Sequence, residues 1–439
     1  MNGEECEPAY GSRPFQDHIV TGYGKLGRVG QVATIDGKSG RLGVTLPPNG
    51  FRKDIEACGI AGHINVDGSR ETGKRVIDMI TTMTDRENGL GAGYSCYGLF
   101  PSNADQYCIQ LLLDDEVAKE RVEELFKRRA DVVKDERVYT RHVKGMGGPY
   151  PLIWRFFLDV PEDAIAATPH IESEDDYIVD IVMEVNSSVD GAFCMSSGKN
   201  MAVFKGNGWS YEIGEFYDLA ERYKGYMWLS HSRFPTNTPG WWGGAHPFNI
   251  LDWSVCHNGE ITSYGTNKRY VEMWGYNCTL LTDSEVVTYL WDLLCRRHNI
   301  PKLLASVTMA PNYYEDIDRL PEVQRNIATA LRATYGRAMI NGPFSILVGT
   351  NRPEPTMIAL TDRKKLRPMI AATSEDGNTV FAASEECAIQ RVSDTKDVWA
   401  PVTGNPVIVQ VNKGIIWKGL DNRLEAKALR IEDDAEVEA

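Results

Sequence analysis

The chain has 439 residues, enough for one large core or two domains, and its formal charge of −14 surrounds it with a field that repels polyanions. That field argues against nucleic acid and anionic membrane surfaces as partners. No apolar run approaches the roughly 20 residues that a membrane helix needs, and the acidic first residues lack the apolar centre of a secretory signal. Nine cysteines, an odd number without C-x-x-C spacing, point to reduced thiols and a cytoplasmic setting, and away from a zinc ribbon or iron–sulfur cluster on this chain.

Residues 1–57 are broken by glycine and proline (Gly22, Gly24, Gly27, Gly30, Pro47, Pro48) and show little hydrophobic period. They read either as an extended arm or as a pro-segment that ends at Ala57. From Cys58 onward the chain turns globular. Residues 58–66 are small and apolar, as a buried strand requires, and Asp67-Gly68 supplies a turn. Val76, Ile77, Ile80 and Met83 follow at helical spacing. The glycine-rich stretch 89–98 matches neither a P-loop nor a complete dinucleotide fingerprint.

Residues 115–134 predict a charged surface helix with Val122, Leu125 and Phe126 on one face. Residues 177–185, 201–204 and 226–231 read as strands. A helix over 281–297 opens with a capping box from Thr282 to Glu285, and another over 321–335 stops at Gly336. Strands only are expected afterwards, over 344–348, 357–360, 379–382, 407–411 and 415–417. Residues 421–439 form an acidic tail without a core of its own. With few strand–helix–strand alternations, the order predicts a mixed chain with antiparallel sheets, and a single large domain over 58–420.

Several residues could carry chemistry. Cys58 needs a base to become a thiolate. One source is a histidine, since His231, His246 and His257 crowd a short interval. The other is its own α-amino group, which exists only if the bond after Ala57 is cut. Asn258-Gly259 is either a hairpin turn or a pair of donors, the Asn258 amide and the Gly259 N–H, aimed at an oxyanion. Arg233 is either a surface ion-pair partner or a bidentate clamp for a carboxylate. Asp283 either favours a helix N-terminus or receives a substrate ammonium. Trp241-Trp242 beside Gly243-Gly244 suggests a lid-like loop, a piece of core or a partner surface. A zinc site from His231, His246, His257 and Cys256 matches no familiar ligand spacing.

Taken together, Cys58-Gly-Ile-Ala-Gly, Ser232-Arg-Phe-Pro-Thr-Asn-Thr, Ala245-His-Pro-Phe, His257-Asn-Gly-Glu-Ile and Thr282-Asp-Ser-Glu, in that order, resemble the class II, N-terminal-nucleophile glutamine amidotransferases. Asp362-Arg-Lys-Lys-Leu-Arg-Pro and Ala383-Ser-Glu-Glu are similar to the C-terminal portion of that family. Within the class, the arginine and His-Asn-Gly motifs most resemble the amidotransferase domain of glutamate synthase. The resemblance implies an α+β fold, a four-layer αββα sandwich over about 58–420. It further implies that Cys58, freed as an N-terminus after loss of residues 1–57, attacks the side-chain amide of L-glutamine with its own amine as base. Asn258 and Gly259 would match the oxyanion hole, Arg233 the carboxylate clamp, Asp283 the ammonium contact, and Thr236 and His246 further positions in the glutamine pocket. Ammonia would pass to a synthase-type partner subunit, on which FMN and an iron–sulfur cluster are expected, with no cofactor on this chain. Two alternatives are an amidotransferase for another acceptor, such as N-methylglutamate synthase, and an uncleaved regulatory subunit.

Overall fold

The computed structural model describes residues 58–146, 150–169, 171–234, 240–280 and 282–420. The expected pro-segment (1–57), the acidic tail (421–439) and Thr236 lie outside the described residues.

Two antiparallel sheets stack face to face at the centre. The first has seven strands in the order Thr395–Trp399, Ile370–Ser374, Thr379–Ala383, Gly59–Asn65, Met227–Ser232, Ala92–Tyr97 and Met201–Gly206. The second has six, in the order Phe248–Ile250, Trp253–Gly259, Phe344–Thr350, Thr356–Thr361, Val407–Gln410 and Gly414–Trp417. The period-2 alternation of side chains shows why these strands lie in the middle. On Phe344–Thr350, Leu347 joins the apolar cluster of the seven-stranded sheet, whereas Ile346 and Val348 join the cluster beneath the outer helices.

Helices Lys74–Thr81, Ser210–Phe216 and Glu386–Gln390 cover the outer face of the first sheet. Helices Tyr264–Glu272, Asp283–Asp292 and Lys302–Met309 lie on the second sheet's side. Lys74–Thr81 shows how such a helix is made: Val76, Met79 and Ile80 are its buried residues, at i, i+3 and i+4. The architecture is thus α+β, in four layers αββα. A further four-stranded sheet (Asp131–Arg137, Leu152–Asp159, Tyr107–Leu113, Ala192–Ser196) lies beside Phe248–Ile250 and is covered by helices Glu116–Arg129 and Glu174–Ser188.

Several local expectations need correction. Residues 177–185 are not a strand but the middle of helix Glu174–Ser188. Ser173 caps it by accepting from Asp176 N, and Glu174, Asp175 and Asp176 fill its first turn. The helix is buried on most of its circumference, so no polar stripe breaks the apolar run. The glycine-rich stretch 89–98, for which the sequence predicts no element, contains the strand Ala92–Tyr97, sixth of the seven in the first sheet. The helix expected over 115–134 ends at Arg129, and a strand begins at Asp131. Helix Glu386–Gln390 interrupts what reads as strands only. Thr282 does cap the helix starting at Asp283, but Glu285 does not return to it. The Glu285 carboxylate instead accepts from the backbone N–H groups of Thr279 and Leu280.

Candidate active site

Cys58 stands one residue before the central strand Gly59–Asn65, whose first residue pairs with Ser232. Its own carbonyl oxygen accepts from Arg86 Nε at 3.2 Å, and Arg86 is in turn paired with Glu385 at 2.7 Å. Two residues on, Ile60 N–H donates to Ser384 Oγ at 3.1 Å. The thiol is partly buried. Its sulfur accepts from Phe234 N–H at 3.4 Å and lies 3.8 Å from Phe234 O. Burial pushes the thiol above its ordinary range, and the Phe234 N–H, Arg233 and Arg367 pull it back. No histidine is hydrogen-bonded to this sulfur among the described residues.

Asn258 and Gly259 close strand Trp253–Gly259 and pair with Ser345 and Phe344, so the dipeptide is strand rather than hairpin turn. Gly259 has φ +140°, and a Cβ there would lie 1.9 Å from Pro343 O, so no other residue fits without displacing backbone. Asn258 is buried, and neither its amide nitrogen nor its oxygen has a hydrogen-bond partner among the described residues. A carboxamide left that way is costly unless a ligand completes it. Glu260, the next residue, is close enough to Cys58 for its charge to raise the thiol.

Arg233 continues strand Met227–Ser232 and is almost fully buried, which rules out a surface ion pair. Burial lowers its guanidinium to about 10, against the opposing pull of Cys58 and Asp283. Asp283 begins the helix Asp283–Asp292, and its Oδ2 accepts from Ile261 N–H at 2.9 Å. Burial alone would raise this carboxyl, but His257 and the hydrogen bonds from Ile261 and Ser284 bring it to about 2. The Arg233 guanidinium is therefore within electrostatic reach of both the thiol and the Asp283 carboxylate.

Ser284 is the hub that sequence reasoning passed over. Its Oγ lies 2.8 Å from His246 Nε2, 2.9 Å from His257 Nδ1 and 3.2 Å from Asp283 Oδ1. His246 also stacks on His231, with ring centroids 3.9 Å apart, and His231 Nε2 is 3.0 Å from His257 O. Burial drives His231 down to about 3 and His246 well below the usual imidazole range, so both rings are neutral. The histidines brace one another and the Asp283 turn. The signal for Ser284 was present, because it lies inside the Thr282-Asp-Ser-Glu run. Arg367, inside the Asp362–Pro368 run, could have been found the same way. Of the expected residues, charge interactions and hydrogen bonds bring Cys58, Arg233 and Asp283 together, with His246 joined through Ser284.

Trp242 packs into the core against Phe216, Gly206 and Tyr150, so this part of the expected lid is interior. Among the described residues no group of three or more His, Cys, Asp or Glu is disposed to hold a metal ion, and no helix is long and apolar enough to cross a membrane.

A family model for class II glutamine amidotransferases matches residues 150–421. A protein of Archaeoglobus fulgidus, described only as uncharacterized, is 46% identical over 81% of this chain and 93% of its own length. One from Methanothermobacter thermautotrophicus, bearing the provisional name glutamine amidotransferase, is 26% identical over 78% of this chain and 95% of its own. The glutamine–fructose-6-phosphate aminotransferase of Acinetobacter baylyi is 26% identical over 32% of this chain and 25% of its own. The order of the motifs, the αββα layering and the match over more than half the sequence lead to one assignment: the chain belongs to the class II glutamine amidotransferases.

Proposed function

We propose that the chain is a glutaminase subunit that hydrolyses L-glutamine through a Cys58 thioester and hands ammonia to a glutamate-synthase-type partner. In this reading, cleavage after Ala57 makes residues 1–57 a pro-segment and gives Cys58 a free amine. The amine takes the thiol proton as sulfur attacks the side-chain carbonyl carbon. Asn258 Nδ2 and the Gly259 N–H stabilise the oxyanion. Collapse of the adduct breaks the C–N bond, and the amine returns the proton to the departing ammonia. Water then cleaves the thioester, releasing glutamate and restoring the thiol. Arg233 holds the α-carboxylate and Asp283 the α-ammonium, while Thr236 and His246 complete the pocket.

The observation that carries this reading is the buried, unpartnered Asn258 carboxamide beside a glycine that no side chain can replace. It is reinforced by a buried cation, Arg233, within electrostatic reach of both the thiol and the Asp283 carboxylate. The synthase partner, with its FMN and iron–sulfur cluster, and a cytoplasmic setting rest on the sequence motifs and the reduced thiols.

Glutamine hydrolysis by the purified protein tests the chemistry. Cys58→Ala is expected to abolish it while the far-UV circular dichroism spectrum stays unchanged. Activity surviving in that variant, or an active wild type whose intact mass still includes residues 1–57, would refute the mechanism. Co-purification from the native source with a flavin- and iron–sulfur-containing chain tests the partner.

A further inference from the structure

Lysine is the residue least expected in a protein interior, yet Lys205 is 1% exposed. It lies on strand Met201–Gly206 and pairs across the sheet with Gly93, which pairs on its other side with His231. A Cβ on Gly93 would come within 2.3 Å of His246 O and 2.6 Å of Lys205 Cβ. The segment bearing His246 therefore rests directly on this row, flanked by His231 and Lys205. Lys205 Nζ donates to Gly243 O at 3.0 Å and to Pro247 O at 3.3 Å, one on each side of His246. The ammonium also faces the rings of Phe248 and Phe193, at 4.6 and 5.2 Å from their centroids. Burial pulls it down to about 7, and the charge of Glu285 opposes that loss. Glu285 belongs to the same helical turn as Asp283 and Ser284.

A buried cation is expensive, and an apolar side chain would fill a strand position at lower cost. The proposed mechanism gives Lys205 no proton to move and no substrate atom to touch. What it holds is backbone, three residues before and one residue after an imidazole that bonds to Ser284.

We propose that Lys205 is a positioning residue for the glutamine pocket, pinning the chain on both sides of His246 so that its ring stays against Ser284 and the turn bearing Asp283. The inference rests on the glutaminase reading. Its test compares glutamine hydrolysis and thermal unfolding of wild type and Lys205→Met, which keeps most of the stem's volume and removes the charge. The variant is expected to fold with a Tm no lower than wild type, to raise KM roughly ten- to a hundredfold, and to change kcat much less, as a displaced pocket wall should. A wild-type KM in folded Lys205→Met overturns the proposal, and so does a variant whose only defect is a lower Tm. If the methionine variant does not fold, Lys205→Leu, which likewise removes both donated hydrogen bonds, must show the raised KM. Failure of both to fold makes the lysine a structural staple and also overturns it. A wild type that does not hydrolyse glutamine refutes the glutaminase reading instead.

Discussion

Asn258, Arg233 and Asp283 make separable demands. Asn258 would act on charge that exists only during reaction, so Asn258→Ala is expected to lower kcat by roughly 10²–10³ while leaving KM nearly unchanged. Arg233 would hold a group that is charged throughout, so Arg233→Ala is expected to raise KM first. Steady-state glutamine kinetics on both variants decides the matter, and a pure KM effect in Asn258→Ala would remove it from the oxyanion role. Asp283 adds a prediction in pH. Its carboxyl sits at about 2 in the folded protein, below the roughly 3.9 of an unfolded chain. A depressed acid stabilises the fold above its unfolded value and loses that contribution as pH falls through the folded one. The loss should fall between about pH 4 and pH 2 and amount to about 3 kcal/mol. Asp283→Asn should flatten that limb of an acid unfolding curve. At this scale the motifs made most of the site legible. Lys205 was not, because a lone lysine after Met-Ala-Val-Phe looks like a strand end snorkelling to solvent.

Helix Glu174–Ser188 shows both the strength of local signals and where they fail. Its cap, Ser173, is an ordinary N-terminal signal. Inside the helix Tyr177, Ile178, Val179, Ile181, Val182 and Val185 are all buried, so apolar residues recur with no period to separate helix from strand. The cap decides, and Ser173→Ala should cost about 1 kcal/mol in denaturant unfolding. An unchanged midpoint would mean that packing alone holds the helix. Strand Ala92–Tyr97 failed in sequence for the opposite reason. Its glycines look like loop, but Gly93 is there because His246 O and the side chain of Lys205 occupy the space above it. A close approach made by residues more than a hundred positions away leaves no local trace.

In the whole molecule, the proposed machinery is divided between two sheets: Cys58 and Arg233 on one, Asn258 and Gly259 on the other. On that reading, the packing between them would set the catalytic geometry as well as the stability. Leu347 reaches across from the second sheet to where Gly62, on the strand after Cys58, leaves room for it. Leu111 is equally buried, in the four-stranded sheet away from the site. Replacing either with alanine should cost about 2–5 kcal/mol. Leu347→Ala alone is expected to lower kcat as well, and equal kcat in the two variants would show that the sheets hold register without it. That division was only partly legible, since antiparallel strands could be read from the chain but their order in each sheet could not.

The bond from Arg86 to the Cys58 carbonyl bears on how such an enzyme would ripen. Arg86 is itself moored to Glu385, and the next residue, Gly59, is already zipped to Ser232. Among the described residues, the contacts that hold Cys58 thus grip the chain downstream of the peptide that the proposed cleavage would cut. If residues 1–57 are a pro-segment, these contacts would stay in place when it is cut away, so the cysteine would already be held where it is to react.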